Sequence, residues 1–421
     1  MLTWGQYFTC IAPDSPGFGQ SDALTGAPEI DDFADATVAF LDALGIVRCA
    51  AYGFHSGGII LVTAMRRHPT RFTCLAVGGY AIWTPQEMAI FGEAYLPPFV
   101  PSDYGEHLTW LWNRILEQTW FFPWFDVRNE ARLSVAHDDP ARVHAVVMDM
   151  LDAGDAYRAG YGAVLRAPRD IPAVDAETPP VLITAYDGDP LQAHIDRLGD
   201  MPANWSARKV GTPAEHHAAS LAFLQARPTS AIGALPTVDD EGFARIETEA
   251  FDSLIHWRGS HKASRMVIHA PGSEAAAVRA LAIDLPGHGL SSDWMGDAPE
   301  TIEPWRTFVK ACSTHFGIKE IDGLGWSAAL SDRAAPRPSH EVADQLIPDL
   351  KPDRFGSHLT RAWSATRATR MFDPWFVAGA AHAIPLDIAA LTPAALARDT
   401  RALLRARAGR ALMTALATGE D

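Results

Sequence analysis

The sequence Asp284-Leu285-Pro286-Gly287-His288-Gly289-Leu290-Ser291 closes an apolar run that begins at Leu281. Two glycines one residue apart at the end of such a run mark a tight turn after a strand, where the backbone takes conformations that a Cβ penalises. The same turn stands 270 residues earlier as Asp14-Ser15-Pro16-Gly17-Phe18-Gly19-Gln20-Ser21. A second stretch repeats at a spacing of 251. Pro101, Gly105, His107, Leu108, Thr109, Trp112, Phe121, Pro123, Trp124 and Phe125 return as Pro352, Gly356, His358, Leu359, Thr360, Trp363, Phe372, Pro374, Trp375 and Phe376. Repetition on this scale decides how the rest of the chain is divided.

With 421 residues there is room for two domains, each with its own core. The first repeat occupies 1–228, with a helical segment at about 85–175. A Pro-, Ser- and Thr-rich linker at 229–239 leads to the second repeat, 240–421, with a core at about 240–330 and helices at about 340–410. A formal net charge of −16 argues against a phosphate-backbone partner, so no nucleic acid is expected. The longest aliphatic run, Gly57 to Met65, is too short to span a bilayer, and the N-terminus shows no basic region followed by an apolar one. Cys10, Cys49, Cys74 and Cys312 lie singly in apolar surroundings, as reduced core residues of a cytoplasmic protein do. No Cys/His spacing suggests a zinc site, and neither metal nor cofactor is expected.

Strands are predicted at Tyr7–Ala12, Cys49–Tyr52, Phe72–Val77, Val181–Ala185 and Ser206–Val210, alternating with helices at Ile30–Leu44, from the turn after Tyr52 through Arg67, and up to about Ala226. Later strands are predicted at Phe243–Glu247, Phe251–Trp257, Met266–His269, Leu281–Asp284 and Glu320–Leu324, with helices at Trp305–Phe316 and Pro393–Arg407. This alternation specifies an α/β fold, a mostly parallel sheet with helices on both faces.

Strand, Asp-x-Pro-Gly-x-Gly-x-Ser turn, helix, strand and sharp turn together resemble the α/β-hydrolase superfamily. The resemblance implies duplicated hydrolase-like units with a helical cap, and a nucleophile on a strand-to-helix elbow of form G-x-S-x-G. The first elbow reads Gly53-Phe54-His55-Ser56-Gly57-Gly58, with His55 at the nucleophile position and Ser56 contributing its N–H. The second is aligned by matching Gly45-Ile46 to Gly317-Ile318, which gives Gly325-Trp326-Ser327-Ala328-Ala329 and puts Ser327 at the nucleophile position. Ala329 then stands where the family has glycine. The acid is expected after the strand at Val181, as Asp189 or alternatively Asp187, and the base as His216 or His217. Oxyanion donors are expected from Ala328, or Ser56 in the first elbow, and from the His269-Ala270-Pro271-Gly272 loop, where Pro271 has no N–H to give. His382, in a loop like the family's final His loop, falls in the cap by the repeat register. His107 and His358 read as helix-packing residues.

The family's sheet has the strand order 1-2-4-3-5-6-7-8. The first repeat carries the equivalents of strands 4 to 8 and the second those of 1 to 5. Three readings follow. Ser327 and the His269 loop could meet Asp189 and His217 in a composite site; His55 could work with the first repeat's own Asp and His; or the chain could be a non-catalytic, ligand-binding member or a piece of a longer tandem protein. The expected activity is hydrolysis of small hydrophobic esters, epoxides or related compounds, with the Trp/Phe-rich segments lining an apolar site.

Overall fold

The alternation of strands and helices yields two sheets, one in each of two compact units. The first unit comprises Met1–Val100 and Asn113–Pro236, the second Pro101–Trp112 and Thr237–Asp421. The computed structural model describes residues 3–418 except 93, 169–170, 230–231, 234, 237–238, 261, 277–278 and 332–334. Part of the expected linker therefore lies outside the described residues.

In the first unit the elements run α1 (Ile30–Ala43), β1 (Cys49–Phe54), α2 (Ser56–Arg67), β2 (Phe72–Gly78), α3 (Pro85–Phe91), α4 (Glu106–Gln118), α5 (Pro140–Ala153), α6 (Tyr157–Arg166), β3 (Val181–Tyr186), β4 (Trp205–Val210) and α7 (Pro213–Gln225). Residues of α4 up to Trp112 are counted with the second unit. The four strands are parallel and lie in the order β1-β2-β3-β4. β2 and β3 are buried almost throughout, as strands covered on both faces must be. Phe33, Ile59, Met65, Leu75, Val77 and Ile183 share one core. On the opposite face Cys74 and Ala76 pack with Leu224 of α7.

The strand predicted at Tyr7–Ala12 does not form. A single 3-10 turn at Trp4–Gln6 leads instead into irregular chain. A strand needs a neighbour for its N–H and C=O groups, and this segment has none to pair with in the first unit's sheet.

The second unit runs β5 (Glu241–Glu247), β6 (Asp252–Gly259), β7 (Arg265–Ile268), β8 (Leu281–Ile283), α8 (Ile302–Phe316), β9 (Glu320–Gly323), α9 (His340–Leu346), α10 (Ser357–Ala368), α11 (Pro393–Arg405) and α12 (Gly409–Thr418). Its sheet has the order β5-β6-β8-β7-β9, with β5–β6 and β6–β8 antiparallel and β7 parallel to both its neighbours. That is the order 1-2-4-3-5 expected for the first five strands of the family sheet. α12 was not anticipated; the sequence reading ended the last helix at Arg407.

Pro101–Trp112 joins the second unit, not the first, because of a reciprocal packing. The Trp112 indole covers Gly356 and meets the His358 ring at 5.2 Å, while Trp363 covers Gly105 and meets His107 at 5.0 Å. Both histidines are buried in this packing. The 251-residue spacing also relates local geometry: the bridges Phe121–Arg132 and Phe372–Ala383, and the 3-10 turns Asn129–Ala131 and Ala380–His382. His382 thus stands in a short turn of the helical segment, its Nδ1 3.1 Å from the Asp373 carbonyl.

Candidate functional site

β1 ends at Phe54 and α2 begins at Ser56, so the whole change of direction falls on His55. Its φ of 48° and ψ of −112° make it the one non-glycine residue with positive φ among the described residues. Such backbone strain costs about 1–3 kcal/mol and persists where the surroundings over-determine it. A Cβ on Gly53 would lie 2.5 Å from the Gly57 carbonyl carbon, and one on Gly58 would lie 2.6 Å from Val77 Cγ1. Only glycine lets the strand, turn and helix come this close. The His55 N–H donates to Gly78 O at 2.7 Å, and its ring stacks on Phe54 at 4.0 Å.

From the loop after β3, Asp189 reaches the same point. His55 Nε2 lies 3.0 Å from Asp189 Oδ1, which also accepts the Leu191 N–H at 2.8 Å. The carboxylate side chain is fully buried and the imidazole is 35% exposed. Asp189 Oδ2 is sealed from solvent without a partner. Gly79 (φ 58°) lines this pair: a Cβ there would fall 2.7 Å from His55 Nε2 and 2.9 Å from Asp189 Oδ2. With Nε2–H donated to the carboxylate, the neutral ring leaves the Nδ1 lone pair as its acceptor. A carboxylate-oriented imidazole of this kind can take a proton from water or a substrate hydroxyl.

The acid therefore orients His55, and neither His216 nor His217 takes the expected place beside it. His216 is fully buried, with Nε2 2.8 Å from the Tyr52 hydroxyl and Nδ1 2.6 Å from Thr184 Oγ1. Burial, and then the neighbouring His217, push its pKa down. Burial likewise pushes the Tyr52 phenol up to about 12. A neutral imidazole held between two hydroxyls braces the strand ends. His217 is exposed on α7 and meets the Trp4 ring edge-on at 6.4 Å. Asp187 points outward and accepts a hydrogen bond from Gln192 Nε2 at 2.6 Å.

In the second unit the elbow lies two residues earlier than expected. A Cβ on Gly323 would strike the Ser327 carbonyl and the Ala328 nitrogen, four and five residues on, just as one on Gly53 would strike Gly57 and Gly58. Gly325, at φ 55°, is the turn residue. Gly45 and Gly317 do correspond, both at φ 68° at a helix end, but the link from there to the elbow is two residues shorter in the second unit. Ser327 is instead fully buried in the 3-10 helix Gly325–Leu330, its Oγ without a hydrogen-bond partner. Its hydroxyl is closed to solvent, unlike the imidazole that the first elbow presents. A Cβ on Gly325 would lie 3.4 Å from Ala270 Cβ, so the expected oxyanion loop does flank this elbow. The Ala270 carbonyl there accepts from Ser273 Oγ at 2.7 Å. Ala328 sits inside the 3-10 helix, while Ser56 opens α2 with its N–H at the first helix's end.

Residues 6–125 match the family model described as the alpha/beta hydrolase fold. That match assigns the alpha/beta hydrolase fold to residues 6–125. Similar solved structures include carboxylesterases of the ammonia-oxidizing Thaumarchaeon Nitrososphaera gargenis (15% identity, 50% of this chain and 77% of that one, TM-score 0.38). A thermophilic esterase from Thermogutta terrifontis shares 16% identity over 51% of this chain and 77% of its own, TM-score 0.34. A hydrolase from Pseudomonas aeruginosa PA01 shares 20% over 51% and 77%, TM-score 0.35. No curated protein matches. Among the described residues no helix is long and apolar enough to cross a membrane, and no group of three or more His, Cys, Asp or Glu could hold a metal ion.

Sequence reasoning missed Tyr52, Thr184 and Gly79. The Gly78-Gly79 pair directly after a strand was the available signal for a close backbone approach.

Proposed function

We propose that the first unit is a hydrolase of small hydrophobic esters in which His55, oriented by Asp189, activates water as a general base. The observation that carries this reading is the 3.0 Å contact between His55 Nε2 and Asp189 Oδ1 at a strained elbow. In the reaction His55 Nδ1 takes a proton from water as the water oxygen attacks the ester carbonyl. Asp189 stabilises the imidazolium that results, and the Ser56 N–H donates to the developing oxyanion. On collapse the leaving alkoxide takes the proton from His55, so the imidazole returns neutral and no covalent enzyme intermediate forms.

A second reading, ligand binding without turnover, is favoured by one observation: the loop expected to give the second oxyanion donor, at Ala270, belongs to the second unit. The two separate on p-nitrophenyl butyrate hydrolysis. The hydrolase reading expects turnover that falls with His55→Ala and Asp189→Asn and returns in part when imidazole is added to His55→Ala. Wild-type rates no higher than those of His55→Ala would leave the binding reading.

A further inference from the structure

Arg114, on α4 within the first unit, is only 6% exposed. Its guanidinium carbon lies 5.2 Å from the centre of the Trp124 ring and 5.6 Å from that of Tyr157. Among the described residues its one hydrogen bond runs from Nη1 to the neutral Gln118 Oε1, 3.1 Å away. Nε is sealed from solvent without a partner. Taking a cation out of water without a counter-charge is costly, and arginine does not shed its proton to escape the cost. The phenols nearby do not supply the missing charge. Tyr95, Tyr157 and Tyr161 all interact with the guanidinium, but burial raises the pKa of each, so they stay neutral. Tyr157 donates to the Pro97 carbonyl. The hydroxyls of Tyr95 and Tyr161 make no hydrogen bond among the described residues, and Tyr161, 37% exposed, is the open side of the group.

The second unit keeps the tryptophan, as Trp375, but has neither the arginine nor the three tyrosines at the corresponding positions. At the 251 spacing Arg114 falls on Ala365 and Tyr95 on Leu346. The latter match is fixed by equivalent bonds, Trp124 Nε1–H to Tyr95 O and Trp375 Nε1–H to Leu346 O. α6 and α12 coincide end to end at a spacing of 252, which puts Tyr157 on Gly409 and Tyr161 on Met413. Four polar side chains are thus replaced together by groups that carry none, and Ala365 and Met413 are each 1% exposed. The scaffold does not need the buried charge. The unit that carries His55 and Asp189 is the one that has it.

We propose that Arg114, with the hydroxyls of Tyr95 and Tyr161, forms a subsite in the first unit for the carboxylate of a small aromatic or aliphatic acid. A carboxylate supplies the missing counter-charge and accepts from the guanidinium and both phenols. The apolar body lies against Phe122 and Phe125, whose rings pack around Tyr95. This goes beyond ester hydrolysis and is measured without turnover.

The test titrates benzoate, benzamide and inorganic phosphate into the full chain, following tryptophan fluorescence and the thermal midpoint, for wild type, Arg114→Met and Arg114→Lys. Benzoate should bind wild type at least about tenfold more tightly than benzamide or phosphate, and Arg114→Met should lose at least about tenfold of benzoate affinity, as the loss of a charged hydrogen bond requires. Without ligand, Arg114→Met should melt no lower than wild type, since an apolar side chain of similar volume removes a buried unpaired charge. Arg114→Lys should keep the preference for benzoate over benzamide at reduced affinity, which serves if Arg114→Met does not fold. No benzoate binding, benzamide or phosphate binding as tightly as benzoate, or unchanged benzoate affinity in either variant would overturn the proposal.

Discussion

At φ 48° in the first unit stands His55, and at φ 55° in the second stands Gly325. Around both, a glycine at the strand end lets the following turn fold back within van der Waals distance. One elbow carries an imidazole against a buried carboxylate and the other carries no side chain at all. The Asp turns differ in a complementary way. Asp14 and Asp284 make the same local bonds: each accepts a backbone N–H six residues on, at 3.1 and 3.0 Å, and each carbonyl accepts the serine hydroxyl seven residues on, at 2.8 Å. Yet Asp14 is exposed, whereas Asp284 is 1% exposed and also engages His256 Nδ1 at 2.8 Å and the Ala275 N–H at 2.5 Å. Local sequence builds the turn in both places. Whether the turn becomes a keystone depends on the strands beside it.

The largest expected effect tests the elbows. His55→Ala should lower ester turnover by about 10²–10⁴, the usual contribution of a positioned base, and kcat should show it more than KM. Gly325→His should create no activity, because among the described residues the second sheet ends at β9 and has no counterpart of β3, the strand that leads to Asp189, and it should lower the thermal midpoint. Appearance of turnover in Gly325→His would break the comparison.

Next comes the pair of aspartates. Asp284→Ala strips partners from a buried histidine, the buried Ala275 N–H and the partly buried Leu290 N–H, and should cost about 3–5 kcal/mol in denaturant unfolding. Asp14→Ala should leave the midpoint close to wild type. Equal losses would mean that the turn's own bonds, not its burial, set its worth.

Stability of the second unit should also fall on acidification from pH 6.5. Burial pushes His269 down, and burial with the neighbouring His269 pushes His288 down to about 3. Both histidines have lower pKa values folded than unfolded (about 6.5 when unperturbed), so the stability tied to their neutral forms is present above pH 6.5 and lost as pH falls. His256 runs the other way. Burial opposes its charge, but hydrogen bonds to Asp284 and Glu241 outweigh it and raise its pKa. Its contribution is complete below the unfolded value and is lost as pH rises through the folded one. Denaturant midpoints at pH 7 and pH 5 check the sum: His269 and His288 lose stability over that interval, His256 gains in its upper part, and a net fall is expected because two groups oppose one. The smallest effect belongs to Ser327→Ala, which removes a buried hydroxyl without a partner and should leave stability unchanged or raise it by up to about 1 kcal/mol.

Much of the fold was legible. Apolar runs bounded by glycine and proline placed the strands of both sheets, and the phase of the repeat anticipated the order β5-β6-β8-β7-β9. Tyr7–Ala12 failed because an apolar run records a tendency to be buried and not the presence of a neighbour to pair with. Asp189 and His55 were both named from the sequence, and one reading put them in the same site, but with a second histidine as the partner of the acid and not His55 itself. The family order of acid and base pointed to His216 and His217, and no pattern in the chain says that His216 is already held by Tyr52 and Thr184. The second elbow was misplaced because two residues gained before Gly317 are lost again before Gly323, and a gap in alignment leaves no mark on composition.

The chain alone determined which turns are tight, where glycine must stand, and which segments have the periodicity of strand or helix. These depend on the sterics of a few consecutive residues, and the turn glycines of both halves take positive φ. The tertiary structure decided which carboxylate meets which imidazole, which aspartate is buried and which serine is closed to solvent. Those are contacts across many residues, fixed by where strands find partners and not by what stands next to them in the chain.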